Sequence, residues 1–273
     1  IAPPDNPFPT GSFVQRQKVS DAGDTPNEWH TYEVTAVGGH FVIHLDGREV
    51  LNYTDDKPLG KGFIGLQHNQ GKVEFRNVKL KPLGLSPIFN GTDLTGWKTY
   101  PDMASRFSVT DEGWMNVKDG RGQLETENKY GDFVLELECI SNGEQLNSGI
   151  FFRCIPGEQM NGYESQIHNG FKNDDRTQPI DCGTGGIFRR VDARRVVPND
   201  FEWFRKTIIA DGPHFAVWVN GYQVTDWTDK RSPDKNPRRG LRTEAGTIMI
   251  QGHDPTTDLS FRGFKIGTIP NRR

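Results

Sequence analysis

The sequence predicts an all-β protein built as an antiparallel β-sandwich or jelly roll. Short segments alternate between apolar and polar residues with a period of two, which is the pattern of strands with one buried face. Glycine (31 residues) and proline (17 residues) are abundant and only 33% of residues are hydrophobic, a composition that suits short strands joined by turns. No amphipathic segment of about ten residues or more has helical periodicity.

The alternating segments identify the strands in order along the chain. Asp46-Gly47 and Asn220-Gly221 each lie between two such segments and predict type I′ hairpins, because both central positions of that turn need positive φ. The number of strands favours a sandwich or a jelly roll over a single sheet. The clearest predicted strands are residues 133–140, 149–154, 163–168, 206–210, 214–220, 222–227 and 247–251.

Part of the chain occurs twice. Residues 10–55 align without a gap with residues 184–229, an offset of 174, and residues 62–67 then match residues 246–251. The repeat is much longer than a solenoid repeat, so it indicates two related globular domains.

The two copies differ in completeness. We predict a partial copy of the sandwich in residues 1–83, containing its second half only, and a complete domain in residues 85–270. Only the complete domain has the stretch 85–183, so we expect the functional site there. The segment 82–87 is a short apolar linker, and we expect the two copies to pack against each other.

Composition excludes several function classes. The formal charge is −3 and no long run of basic residues occurs, which argues against nucleic acid as a partner. No apolar segment approaches the roughly 20 residues needed to cross a bilayer. The chain begins with Ile1 rather than Met, which is consistent with removal of a preceding segment, and we expect a periplasmic or extracellular protein, although residues 1–273 include no signal peptide.

The three cysteines do not have zinc-site spacing. One disulfide with one buried thiol is one arrangement, and three reduced thiols is the other. If a disulfide forms, Cys154 with Cys182 is the favoured pair, since hairpin pairing places Cys139 near Gly149 instead.

Polar residues share one face of several predicted strands. Glu164, Gln166 and His168 alternate with apolar or small neighbours, as do Arg153 and Glu138 on nearby strands. We expect these side chains to converge on one concave sheet surface. The alternative is a solvated sheet face with incidental ion pairs.

Later strands extend this face. Trp218 alternates with valines, and Gln251 and His253 flank a small residue. An exposed Trp beside amides, carboxylates and an Arg is typical of a carbohydrate-binding cleft, because the ring stacks on the sugar while the polar groups bind hydroxyls. The sequence thus predicts a carbohydrate ligand.

Several motifs follow one another along the complete domain: Ile88-Phe-Asn-Gly-Thr-Asp-Leu-Thr-Gly-Trp97, Asn147-Ser-Gly-Ile-Phe-Phe-Arg153, Gly162-Tyr-Glu-Ser-Gln-Ile167, Thr184-Gly-Gly186, Glu202-Trp203, Val219-Asn-Gly221 and Asp226-Trp-Thr-Asp229. Together they resemble a known family, the 3-keto-disaccharide hydrolase domain. The resemblance extends from about residue 85 to 269, whereas residues 10–80 resemble the second half of the family only. It implies a concanavalin/laminin-G-like jelly roll.

The resemblance implies cleavage of glycosides already oxidised to a ketone at C3. The ketone acidifies the C2 hydrogen, so a base can remove it and expel the C1 substituent before water adds. His168 or Glu164 is then the base, Glu138 or Glu164 the acid, and Arg153 with Gln166 stabilises the enolate.

The remaining assignments are contacts to the sugar and a metal. Asn147, Trp218, Gln251 and His253 are the other expected substrate-binding residues. The resemblance leaves open a divalent metal, since many relatives carry an acidic residue where this chain has His168-Asn169. A non-catalytic, lectin-like sugar-binding module is the alternative function, although a lectin has no need of a titratable acid–base pair.

Overall fold

The computed structural model describes residues 6–60, 62–68 and 71–269, and it confirms the all-β class. These residues contain strands, turns and loops but no helix. Within the same part of the chain, nothing helical has the length and apolar character needed to cross a bilayer. The chain divides between Val78 and Lys79 into two compact units, which we call the N-terminal and C-terminal units.

The N-terminal unit contains one antiparallel sheet of three strands in the order β1-β2-β3. Its buried apolar side chains come from the sheet and from the loops before it: Val19, Ala22, Ile43, Leu45 and Leu51. The strands are β1 (Tyr32–Val37), β2 (His40–Leu45) and β3 (Arg48–Thr54).

The C-terminal unit is a sandwich of two large sheets. Its first strands are β4 (Ser86–Pro87), β5 (Trp97–Lys98), β6 (Arg106–Val109), β7 (Met115–Lys118), β8 (Gly122–Thr126), β9 (Phe133–Ser141), β10 (Ser148–Cys154) and β11 (Tyr163–Ile167). The later strands are β12 (Phe171–Lys172), β13 (Asp175–Pro179), β14 (Phe204–Asp211), β15 (His214–Val219), β16 (Tyr222–Thr228), β17 (Thr247–Gly252) and β18 (Asp258–Thr268).

The larger sheet has eight strands in the order β16-β15-β14-β9-β18-β7-β6, with β4 paired to β18. The smaller has five strands in the order β11-β10-β17-β8-β5, while β12 and β13 form a separate two-stranded ribbon. The core lies between the two large sheets. In β9, Phe133, Leu135 and Leu137 are buried there and alternate with Glu136 and Glu138, which point away from the core.

The five-stranded sheet is covered on both faces, and this distinguishes it from the eight-stranded sheet. Every residue of β10, β11 and β17 is buried. A segment after residue 182 runs along the free edge of β11, where Gly185 N donates to Gln166 O and Phe188 N donates to Glu164 O. Loops therefore enclose the outer face of this sheet, which becomes a pocket rather than an open surface.

Residues 32–54 and residues 206–228 have the same strand pairing. β1 pairs with β2, and β2 with β3, in the register of β14 with β15 and β15 with β16 when the 174-residue offset is applied. The register shift after Ile43 recurs after Val217. Both hairpin turns have the positive φ expected of type I′, for example 50° at Asp46 and 49° at Asn220. The packing of the two copies against each other stays a prediction.

All three cysteines are free, so the Cys154–Cys182 disulfide is not formed. Cys154 ends β10, where it packs against Met160 and Met249. Cys182 precedes the segment that flanks the opposite edge of β11. The two residues are thus separated by about two strand spacings of roughly 4.8 Å, beyond the Cα separation that a disulfide spans.

Candidate functional site

A pocket of about 520 Å³ lies on the outer face of the five-stranded sheet. This volume is within the range of small-molecule binding sites. Strands supply part of the lining, and loops supply the rest. The residues that carry polar or charged groups into it are Arg121, Asn147, Tyr163, Glu164, Gln166, Asp181, Arg189, Arg190, Arg238, Gln251 and His253.

Strand register brings the predicted polar residues together. Glu164 and Gln166 of β11 lie opposite Phe151 and Gly149 of β10, so all four share the outer face. Gly149 has no side chain and so leaves room for Glu164, because a Cβ added at position 149 would lie 2.6 Å from Glu164 Oε1. The carboxyl group of Glu164 therefore extends over β10 toward the middle of the sheet.

Glu164 is the most strongly perturbed acid of the pocket. Burial is the main cause that raises its pKa to about 8; the nearby charge of Asp181 acts in the same direction, and the cations of Lys206, Arg238 and Arg189 act in the opposite direction. Only 8% of the residue is exposed. At neutral pH, the protonated and ionised forms of such a group are both populated, which is the property of a proton-transfer residue.

Gln166 belongs to a small amide–carboxylate network at one end of the pocket. Its Nε2 donates to Asp181 Oδ2 at 2.8 Å and to Asn147 Oδ1 at 3.3 Å. Asn147 Nδ2 donates to the same Asp181 oxygen at 2.6 Å. These bonds fix both amides, and both residues line the pocket.

Two amide oxygens in this site have no partner. Gln166 Oε1 and Gln251 Oε1 are both buried and accept no hydrogen bond from the described residues. A buried acceptor without a donor costs about 1–3 kcal/mol, so such atoms are typical of sites where a ligand completes the hydrogen bonding. A polyhydroxyl ligand would supply the missing donors.

His168 lies beside the pocket, and its side chain is not part of the lining. It is 8% exposed, and its Nδ1 accepts a hydrogen bond of 3.1 Å from Gly170 N, which places the ring proton on Nε2. Burial lowers the pKa of His168, and Asp181 and Asp200 oppose that shift. The imidazole is accordingly neutral near pH 7. His253 is at the exposed rim, with Nδ1 2.7 Å from Asp254 Oδ2.

The prediction that Arg153 lines the cleft is wrong. Arg153 is fully buried, and its guanidinium donates to Asp132 Oδ1 at 2.6 Å and to the backbone oxygens of Gly131, Gly212 and Arg242. The β10–β17 register shifts between Phe151 and Cys154, and Arg153 has φ of 50°. This bulge turns the side chain away from the outer face that simple alternation assigned to it.

Glu138 and Trp218 are also wrongly assigned. Both lie in the eight-stranded sheet, on β9 and β15. Glu138 forms ion pairs there with Arg262 at 2.7 Å and Arg205 at 3.3 Å. Trp218 lies opposite Thr207 in that same sheet. The outer faces of the two sheets of a sandwich point in opposite directions, so neither residue can reach the pocket.

Loop residues of the pocket were not identified from the sequence. Asp181 and Arg189 both have positive φ, and Arg238 donates from its guanidinium to Met160 O. None of them belongs to an alternating segment, so period-two reasoning had no means of placing them. The only hint was the position of Asp181 just before the Gly-rich loop 183–186.

The residues around the pocket do not fit a metal centre. In the described ranges, no three or more His, Cys, Asp or Glu side chains are close enough together to hold a metal ion. Asp181 already accepts two amide hydrogen bonds on one oxygen. We therefore assign no step of the chemistry to a metal.

The family model named 3-keto-alpha-glucoside-1,2-lyase-like domain matches this chain twice, over residues 3–81 and 84–267. The chain belongs to this family. The resemblance identified from the sequence motifs is thus confirmed, and each of the two segments matches the lyase-like family separately.

Solved structures support the fold. Three are crystal structures of candidate glycosyl hydrolases from Parabacteroides distasonis ATCC 8503. One has a TM-score of 0.55 and 19% identity, and the match covers 68% of this chain and 94% of that protein. Another has a TM-score of 0.51 and 25% identity, covering 69% and 85%. No curated protein matches the chain.

Proposed function

We propose that the C-terminal unit cleaves 3-keto-glycosides, with Glu164 transferring the proton in the pocket of the five-stranded sheet. The observation that carries this proposal is the position of Glu164: a buried carboxyl group with its pKa raised to about 8, held over Gly149 beside amide oxygens that lack donors. The family of the chain supplies the reaction class.

The reaction consists of an elimination followed by an addition. A base takes the proton from C2, which the C3 ketone acidifies, and the resulting enolate expels the C1 oxygen with the electrons of the C1–O bond. The leaving oxygen takes up a proton. Water then adds to C1 and a proton returns to C2, so the net result is hydrolysis.

Glu164 suits the base role better than His168. It lies within the pocket lining, whereas His168 is beside it with Nδ1 already accepting from Gly170 N. Glu164 titrates near neutrality, so its ionised form can take the C2 proton and its protonated form can return one. His168 then acts through position and hydrogen bonding, outside the proton-transfer steps.

Negative charge on the enolate requires cationic or hydrogen-bonding partners. Because Arg153 is buried elsewhere, we assign this role to Arg189 and Arg238, which line the pocket. Their charges favour the ionised form of Glu164, so they act on groups at the centre of the site. They would favour a developing oxyanion by the same electrostatic effect.

Recognition of the sugar is assigned to the amides. The unpartnered oxygens of Gln166 and Gln251 would accept hydrogen bonds from hydroxyl groups. The same feature favours a second candidate function, a non-catalytic sugar-binding module, since hydroxyl recognition needs no proton transfer. An extracytoplasmic location, periplasmic or extracellular, stays a prediction.

Measurements of turnover distinguish cleavage of 3-keto-glycosides from non-catalytic sugar binding. We expect the purified chain to cleave an α-linked 3-keto-glucoside and to leave the unoxidised glucoside intact. Glu164→Gln should lower kcat by about 100-fold or more, the usual scale for losing a general acid or base, and change sugar affinity much less.

Glu138→Gln is the matched control, because it makes the same change in the opposite sheet, and its kcat should stay within about twofold of the unmodified protein. Equal losses of binding and turnover in Glu164→Gln would favour the binding module. A chain inert toward every 3-keto-glycoside tested, but able to bind sugars, would remove the proposal of catalysis.

A further inference from the structure

The end of the N-terminal unit exposes apolar side chains that a folded domain normally buries. Residues 62–68 and 71–78 form no strand, although their sequence alternates as strands do. Ile64 is 78% exposed and Phe75 is 51% exposed. The other large apolar side chains exposed on these two segments are Phe63, Leu66, Val73 and Val78. So many exposed apolar side chains on two short segments are unusual in an isolated domain.

Equivalent residues of the C-terminal unit are buried. Residues 62–67 correspond to residues 246–251, which include most of β17, and residues 71–78 correspond to residues 257–264, which include the first part of β18. The counterparts of Ile64, Leu66, Val73, Phe75 and Val78 are Ile248, Ile250, Leu259, Phe261 and Phe264, each of which is 0 or 1% exposed.

The second exposed segment already has local features of β18. Arg76 lies 4.0 Å from the ring of Trp29, as Arg262 lies 4.0 Å from the ring of Trp203. The next residue has positive φ in both copies, 53° at Asn77 and 65° at Gly263. The chain therefore follows the β18 path closely enough to reproduce its bulge and its cation–π contact, without forming the strand.

The described part of the N-terminal unit lacks strands on either side of these two segments. In the C-terminal unit, β17 lies between β10 and β8, and β18 lies between β9 and β7. All four neighbours come from the stretch 85–183, which has no counterpart in the N-terminal unit. Trp203 is packed against Trp114 from the same stretch at 5.0 Å, whereas Trp29 is 51% exposed.

We propose that residues 62–68 and 71–78 form an acceptor surface for a donor polypeptide that supplies antiparallel strands equivalent to β7–β10. The donor would carry apolar side chains at alternate positions, as Phe133, Leu135 and Leu137 do in β9, and would pair its backbone with the open strands. A donor of this kind is the first half of a sandwich of this same family.

A second copy of this chain is a poorer donor. Its own residues 85–183 already supply β4–β13 of its C-terminal unit, with Phe133 and Phe152 buried in the core. Releasing them would expose that core, at a free-energy cost much larger than the gain from covering a partial sheet.

The test adds a second copy of residues 85–183 to the chain. The fusion protein carries an extra copy of residues 85–183 immediately before Thr10, and the rest of the chain follows. Amide hydrogen exchange is measured by mass spectrometry in the fusion and in the unmodified chain. In the unmodified chain, we expect the amides of 62–68 and 71–78 to exchange at nearly unprotected rates. In the fusion, the exchange rates of these amides should fall by about 100-fold or more.

The matched control fusion carries Leu135→Asp and Leu137→Asp in the added copy only, and it should give no protection. If the fusion leaves residues 62–68 and 71–78 unprotected while the exchange of β17 and β18 is unchanged, the proposal is overturned. Protection in the unmodified chain that grows with protein concentration would identify a second copy as the occupant, and would also overturn it.

A pair of point variants tests the surface without any fusion. Because Phe75 is exposed and Phe261 is buried, Phe75→Asp should leave the Tm of the unmodified chain within about 2 °C, while Phe261→Asp should lower it strongly or prevent folding of the C-terminal unit. Strong destabilisation by Phe75→Asp would show that the surface is already covered, and the proposal would fail.

Discussion

Lys206 Nζ donates a hydrogen bond of 2.8 Å to the backbone oxygen of Gln166, and so joins the two sheets of the sandwich directly behind the pocket. A second bond of the same length reaches Ser165 O. Lys206 lies on β14 and Gln166 on β11, at opposite sides of the core. A buried lysine thus holds the strand that carries Glu164.

Lys206→Met should change how stability depends on pH. Burial lowers the pKa of Lys206 from 10.5 to about 7, so between these values the unfolded chain binds more protons than the folded chain. The free energy of unfolding therefore rises with pH across this window, and this contribution should vanish in the variant. Urea unfolding at several pH values from about 7 to about 10 measures it. Lys265→Met, an exposed lysine on β18, is the control and should keep the slope of the unmodified protein.

Glu164→Gln should remove a pH dependence of opposite sign. Because the pKa of Glu164 is raised from 4.5 to about 8, the folded chain binds more protons than the unfolded chain between these values. Its stabilising contribution is complete below about pH 4.5 and is lost as the pH rises to about 8. Denaturant midpoints at both ends of this window should differ less in Glu164→Gln than in Glu138→Gln. Equal differences would show that Glu164 titrates normally.

Gly149→Ala should reduce turnover by displacing the carboxyl group of Glu164. The new Cβ would lie 2.6 Å from Glu164 Oε1, a distance that forces the side chain to move. We expect kcat to fall by about tenfold or more, because a small misplacement of a catalytic group has effects of this size. Gly131→Ala is the control, since its Cβ would meet only Ala245 Cβ at 3.8 Å. If both variants retain full activity, Glu164 does not act from its observed position.

Arg153→Met should destabilise the C-terminal unit rather than impair sugar binding directly. The guanidinium is fully buried and bonded to Asp132 and three backbone oxygens, which would lose their donor. Removing one partner of a buried ion pair costs about 3–5 kcal/mol. Arg205→Met removes an exposed partner of Glu138 and should cost about 1 kcal/mol or less. Chemical denaturation gives the free energy of unfolding of both variants. Equal and small decreases in this free energy would contradict the structural role of Arg153.

The sequence by itself determined the strands, their hairpins and which side chains of a strand lie on the same face. Alternation along 163–168 correctly placed Glu164 and Gln166 together, because the direction of a side chain in a regular strand depends only on local parity. The positive φ of Asp46 and Asn220 likewise followed from local turn chemistry.

Only the tertiary structure decided which sheet each strand joins. Glu138 and Trp218 had the expected parity but lie in the other sheet, and a bulge reversed the parity of Arg153. Asp181 and Arg189 enter the pocket from loops without periodicity. Sheet membership, bulges and loop paths are set by packing between residues distant in the chain, and a local pattern carries no information about which distant strand will become its neighbour.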